Sequence, residues 1–278
     1  MRRGHRIGRQ RFGAPGWLPV TGVRYQSADG IATLTLDEVE NKNALSATLV
    51  RGLNGALERA LADPDVRAIV ITNDGNTFCA GADLRAGAER SKTDVVPVFN
   101  MILDAPKPVV ARIAGHCVAG GVGLAAACDI SVIDERARLG FTEVRIGVVP
   151  AIISLVCLPK LTRADASDLM LSGRRITGAE AARIGLVNYA VAAEELDQKV
   201  AELLGELLAG GPIAIRETKR LIRSMSSMAS PEAFAAMTAL STALFASDEA
   251  AEGMAAFREK RPAAWIPGSC ETADAKAY

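Results

Sequence analysis

Three short apolar runs limit what this chain can become: RAIVITN at 67–73, PVVARIAG at 108–115 and DISVIDE at 129–135. Each is too short for an independent helix, rich in Val and Ile, and apolar at successive positions. That is the pattern of a strand covered on both faces. Helical spacing fills the first interval. Ser46 stands at an N-cap position ahead of Leu49, Leu53, Leu57 and Leu61, with Val50 and Ala60 beside them, and Asp63-Pro64 stops the run. Buried strands separated by helices predict an α/β fold with crossover connections.

The flanks extend this reading. VTGVRYQ and IATLTL alternate in polarity around Asp29-Gly30, a hairpin turn signal. NKNAL at 41–45 and DGNTFCAGADL at 74–84 read as loops, and 84–104 as a helix broken near Pro97. After Ala164 the strand pattern nearly vanishes. Helices are predicted at 164–171, 178–184, 193–210, 212–226, 231–246 and 248–259. The expected layout is a basic N-terminal arm over 1–19, an α/β core over 20–200, a helical region over 201–266 and a polar tail over 267–278. Residues 1–28 hold Arg2, Arg3, Arg6, Arg9, Arg11 and Arg24, no acid, and no apolar stretch of a secretory signal. The arm is expected to be disordered or to reflect a start placed too far upstream, with an organelle transit peptide as the alternative.

Composition argues against several function classes. The 32 basic and 32 acidic side chains cancel, and aromatics are only 4%. A nucleic-acid binder would carry a basic excess and stacking rings, so no nucleic-acid partner is expected. Cysteines at 79, 117, 128, 157 and 270 are odd in number and form no CxxC pair. They predict a reduced, cytoplasmic chain with buried thiols. Two histidines and no Cys/His cluster leave no zinc pattern, so no metal is expected. No apolar run reaches membrane-spanning length, so no membrane partner is expected either.

Two glycine loops carry the chemistry. FCAGADL (78–84) and AGGVGL (119–124) each end a strand and open a helix. Each can turn a backbone N–H toward a cavity at the positive end of a helix. Two such donors aimed at one point would form an oxyanion hole for a thioester or another carbonyl. The dinucleotide pattern Gly-x-Gly-x-x-Gly and the Lys-Ser/Thr of a P-loop are both absent.

Six segments, in order, carry a resemblance: NKNALS, GNTFCAGADL, PKPVVARIAGHCVAGGVGLAAACDI, LGFTEVRIGVVP, LMLSGRRITGAEAARIGLVNYAV and EGMAAFREKRPAAW. Together they resemble the enoyl-CoA hydratase/isomerase (crotonase) superfamily over about residues 20–266. The resemblance implies a spiral of repeated ββα units with a C-terminal helical trimerisation region, assembled as a homotrimer or a dimer of trimers. It implies an acyl-CoA or enoyl-CoA thioester as substrate and no cofactor beyond the coenzyme A of that substrate. By the match, the backbone N–H groups of Ala82 and Gly120 are the oxyanion donors. Coenzyme A would run along Lys42, Ala44, Ala80, Asp83, Leu84 and Arg85, with Phe257 and Lys260 contributed by a neighbouring subunit. Asp83 also reads as a cap for a helix after Leu84.

Two-glutamate hydratases of this family carry one Glu in the helix after the glycine turn and a second twenty residues later. Glu143 matches the second. Gly123 stands where the first would be. The segment after Pro150 reads PAIIS, so Ala151 takes a position that the family often gives to glycine for holding water. The resemblance then implies hydration of a 2,3-enoyl-CoA with Glu143 as the single acid/base. A Δ3,Δ2-enoyl-CoA isomerase and a non-catalytic acyl-CoA-binding protein are the alternatives. Arg145 offers Glu143 a plain surface pairing. His116, Glu89 and Asp94 are further candidates to replace the missing carboxylate.

Overall fold

The computed structural model describes residues 19–20, 22–84, 95–224 and 231–267. The predicted basic arm, apart from Pro19, and the predicted tail, apart from Pro267, lie outside the described residues, as do Arg85, Glu89, Asp94 and Cys270.

The chain enters through β1 (Pro19–Val20) and the hairpin β2 (Val23–Ala28) and β3 (Ile31–Leu36). Asp29 (φ 52°) and Gly30 (φ 79°) are both left-handed, as a two-residue hairpin turn with the right twist requires. Helix α1 (Ala47–Ala62) starts where expected: Ser46 Oγ accepts the Leu49 N–H at 3.0 Å. At its far end Lys107 Nζ donates to the carbonyls of Ala60 and Asp63 at 2.7 and 2.6 Å, a cation on the negative helix terminus.

Three consecutive units then repeat one plan. Strands β4 (Ala68–Asn73) and β5 (Thr77–Cys79) precede α2 (Val96–Asp104). Strands β6 (Val109–Ile113) and β7 (His116–Val118) precede α3 (Gly120–Ala127). Strands β8 (Ile130–Asp134) and β9 (Arg138–Gly140) precede a 3-10 turn at Thr142–Ile146 and α4 (Ala151–Cys157). The chain continues through α5 (Arg163–Ser172), β10 (Arg175–Thr177), α6 (Gly178–Arg183) and β11 (Tyr189–Val191). In each unit the first strand joins a seven-stranded sheet, ordered β1-β2-β3-β4-β6-β8-β11. The second joins a four-stranded sheet, ordered β10-β9-β7-β5. This is the repeated ββα architecture.

The central strands of the large sheet, β4, β6 and β8, are largely buried on both faces, as their unbroken apolar runs require. Ile69 and Ile71 face α1 and the main core. Ala68, Val70, Val110 and Val132 face Leu196, Val200, Leu203 and Leu204 of α7 (Leu196–Ala209). That helix therefore runs through position 200. Helix α2 begins at Val96, so Pro97 lies in its first turn, where its missing N–H removes no helical bond; the predicted stretch before the break, 85–94, lies outside the described residues. Two three-residue strands, β10 and β11, interrupt the helical pattern after 164.

Helices α8 (Pro212–Ser224), α9 (Pro231–Phe245) and α10 (Asp248–Glu259) follow, close to their predicted bounds. Lys219 Nζ on α8 donates to the Ile102 carbonyl at 2.8 Å and to Asp129 Oδ2 at 2.7 Å. The Glu249 carboxylate on α10 accepts the N–H groups of Ile213 and Ala214, each at 2.8 Å. Cys79, Cys117, Cys128 and Cys157 are free and buried, and burial pushes the thiols of Cys79, Cys128 and Cys157 up to about 12. Among the described residues no helix is long and apolar enough to cross a membrane.

Candidate active site

The small sheet brings the three sequence-predicted groups to one edge. Strands β5, β7 and β9 are parallel neighbours, with Cys79 opposite Cys117 and Cys117 opposite Leu139. Ala82 lies three residues beyond Cys79, Gly120 three beyond Cys117, and Glu143 four beyond Leu139. All three therefore leave the carboxyl ends of adjacent parallel strands, where α/β folds form their ligand crevices.

The two glycine loops touch. Gly81 is left-handed (φ 84°), and a Cβ on it would stand 2.8 Å from the Ala119 Cβ and 3.2 Å from the Gly120 nitrogen. Gly121 packs so closely on Cys79 that a Cβ there would sit 2.8 Å from the cysteine Cβ. Ala119, just before α3, holds φ 51° and ψ −126°, a conformation that costs a non-glycine residue about 1–3 kcal/mol. The strained residue places Gly120 at the first position of α3, where its N–H has no helical acceptor. Among the described residues neither the Ala82 nor the Gly120 N–H finds a carbonyl acceptor.

Glu143 sits in the 3-10 turn after β9, half-buried. Among the described residues its Oε2, fully shielded, has no hydrogen-bond partner. Burial raises the carboxyl above its ordinary value, and a hydrogen bond from its own backbone opposes this only in part. Arg145 turns away, its Nε donating to the Gly173 carbonyl at 2.9 Å. Among the described residues the surface pairing of Glu143 with Arg145 is not formed.

Gly123 is covered. A Cβ there would fall within the contact distance of Ile153 Cγ2, 2.8 Å from Ile153 Cβ and 3.3 Å from Phe99 Cζ. Two apolar side chains thus close over Gly123. The amide of Ala151 is also occupied, donating to the Val149 carbonyl at 2.8 Å.

The remaining predicted residues divide by location. Lys42 is left-handed (φ 51°), and its carbonyl accepts the Ala80 N–H at 3.1 Å. Ala44 is buried, Asp83 half-buried and Leu84 exposed. Arg85 and the start of any helix that Asp83 would cap lie outside the described residues. Phe257 is 86% exposed on α10, and Lys260 caps that helix in a left-handed conformation. His116 is exposed, with Nδ1 accepting the Arg138 N–H at 3.1 Å. Sequence reasoning did not single out Ile153, Phe99, Asn43 or Leu45. The first two approach Gly123 from other elements, and no periodicity links them to it.

A spiral of ββα units, two glycine loops in contact and a half-buried carboxylate at the same sheet edge define a class, the crotonase fold. A sequence profile described as enoyl-CoA hydratase/isomerase matches residues 26–267, and the chain belongs to that family, which acts on acyl-CoA thioesters. A Thermus thermophilus protein named provisionally as an enoyl-CoA hydratase is 37% identical over 242 residues, covering 84% of this chain and 96% of its own. An enoyl-CoA hydratase of Mycobacterium tuberculosis is 34% identical over 239 residues, covering 82% and 90%. The crystal structure of an enoyl-CoA hydratase from Mycobacterium smegmatis superposes with a TM-score of 0.82 at 27% identity, covering 89% of this chain and 99% of that one.

Proposed function

We propose that this protein adds water across the 2,3-double bond of an enoyl-CoA thioester, with Glu143 as its single acid/base. The Ala82 and Gly120 amides hold the thioester oxygen as it gains charge in the enolate. Glu143, as carboxylate, takes a proton from water while the water oxygen attacks Cβ. The same carboxyl then returns that proton to Cα, so one hydroxyl and one hydrogen are added and Glu143 ends as it began. The buried Oε2, without a partner among the described residues, carries this reading, because a carboxyl raised by burial is suited both to accept and to return a proton. The hydratase names of relatives at 34–37% identity support it.

Coenzyme A would lie along Lys42, Ala44, Ala80, Asp83, Leu84 and Arg85. Phe257 and Lys260 would reach a neighbour's nucleotide in a trimer or dimer of trimers. The exposed Val149 (73%) and Leu155 (79%) suit such an assembly.

A second reading is favoured by Ile153 over Gly123 and by the occupied Ala151 amide. With little to hold water, Glu143 would move a proton from one carbon to another and shift a 3-double bond to the 2-position. A panel of 2-enoyl- and 3-enoyl-CoA thioesters in oxygen-18 water tests both. Label in a 3-hydroxyacyl product supports hydration, and an unlabelled 2-enoyl product supports isomerisation. Binding without any product supports an acyl-CoA-binding role. Glu143→Gln is expected to stop turnover and keep binding, and full activity in that variant removes Glu143 from the mechanism.

A further inference from the structure

We infer that Asn43 is a positioning residue for the Ala82 amide, its buried side chain fixing the loop whose backbone sets where that amide points. The inference rests on the oxyanion reading above. Asn43 is 0% exposed and left-handed (φ 49°), a conformation that Asn tolerates better than most residues. Its Oδ1 accepts the Glu38 N–H at 2.8 Å. Its Nδ2 donates to the Thr77 carbonyl at 2.8 Å and the Asp74 carbonyl at 3.1 Å. One side chain therefore ties the 38–43 turn to both ends of the connection between β4 and β5.

The flanking backbone continues the restraint. Lys42 accepts from Ala80, and the Leu45 N–H donates to the Gly81 carbonyl at 2.7 Å. The Gly81 carbonyl and the Ala82 N–H belong to one planar trans peptide, so they point in opposite directions. Anchoring the carbonyl on Leu45 turns the Ala82 N–H away from Leu45 and fixes its direction. Leu45 reaches the second donor as well: its Cδ1 lies 2.8 Å from where a Cβ on Gly120 would stand. Strand β5 restrains the loop weakly by itself. It has three residues, and its register with β7 shifts between Thr77 and Cys79. Asn43 supplies what the sheet does not.

The test uses an enoyl-CoA that the wild-type protein consumes, carbon-13 labelled at the thioester carbonyl and bound to Glu143→Gln. Difference infrared spectroscopy reads the polarising shift of that carbonyl, with and without Asn43→Gly. Glycine keeps the left-handed backbone and removes all three side-chain bonds. The expected result is a reduced carbonyl shift, kcat lowered about ten- to hundredfold in the Glu143 background, and KM and coenzyme A affinity within about threefold. A full shift and full kcat in folded Asn43→Gly overturn the inference. If the glycine variant does not fold, Asn43→Asp, which keeps the acceptor for Glu38 and loses both donors, carries the same two outcomes. No shift in the Glu143→Gln parent overturns the oxyanion reading itself, and the inference with it.

Discussion

Ile153 lies directly on Gly123, so that a Cβ added to the glycine would stand 2.8 Å from the isoleucine Cβ. Glycine at 123 is therefore a packing requirement and not a vacant place. Gly123→Ala alone should destabilise by about 1–3 kcal/mol, because Ile153 and Phe99 are buried and have little room to give. Ile153→Ala alone should cost about 2–5 kcal/mol as a cavity. The pair should cost less than the two single costs added, by about 1 kcal/mol or more, since each change relieves the other. Urea denaturation of the four proteins decides this, and additive costs would show that Ile153 yields freely.

Glu143 trades stability for a poised proton. Burial makes the folded carboxyl bind its proton more tightly than the unfolded one does. Its stabilising contribution is thus complete below the ordinary glutamate value of 4.5 and is lost as pH rises through the raised folded value. Glutamine cannot lose a proton, so Glu143→Gln should be more stable than wild type near pH ~7, with the gap closing near pH ~4. Denaturation midpoints across that range measure it, and a gap that widens toward acid would contradict the sign.

The fold was legible where signals are local. The Asp29-Gly30 turn, the Ser46 cap and the glycine run at 120–123 each act within a few residues, and all form as read. The positions of Ala82, Gly120 and Glu143 at one edge needed the family resemblance, because no period in the sequence reveals the register of β5, β7 and β9. What stayed hidden depends on approach from elsewhere. Ile153 on α4 covers a glycine on α3, and Asn43 clasps carbonyls thirty residues away. Pro97 stands in the first turn of α2, a place that a proline serves as readily as a break.

The C-terminal helices should depend on one partly buried pair. Lys219 bonds Asp129 and the carbonyl end of α2, while burial lifts the Asp129 carboxyl even against that ammonium. Lys219→Met removes the foremost of the groups that oppose this, leaving the Val109 N–H and Lys160, and raises Asp129 further. The loss should be about 2–4 kcal/mol near neutral pH and smaller in acid, where Asp129 takes a proton in both states. Adding Asp129→Asn should recover part of it. Urea denaturation at two pH values checks the sign, and a larger loss in acid would mean that the pair is not the anchor of α8.

His116 stands beside the glycine turn and is the nearest histidine to it in sequence, which makes it the natural candidate for a second proton carrier. Its geometry points elsewhere. The ring Nδ1 accepts the Arg138 N–H at 3.1 Å, and its own backbone N–H donates to the Asn76 carbonyl at 2.9 Å. The side chain is exposed and spent on joining the start of β7 to β9. Asparagine can offer an acceptor at nearly the same place, so His116→Asn should keep the fold and leave kcat within about twofold at every pH. A pH–rate profile that loses one limb, or a fall in kcat of about tenfold or more, would instead make His116 the partner of Glu143. That outcome would replace the single-carboxyl mechanism with a two-residue one.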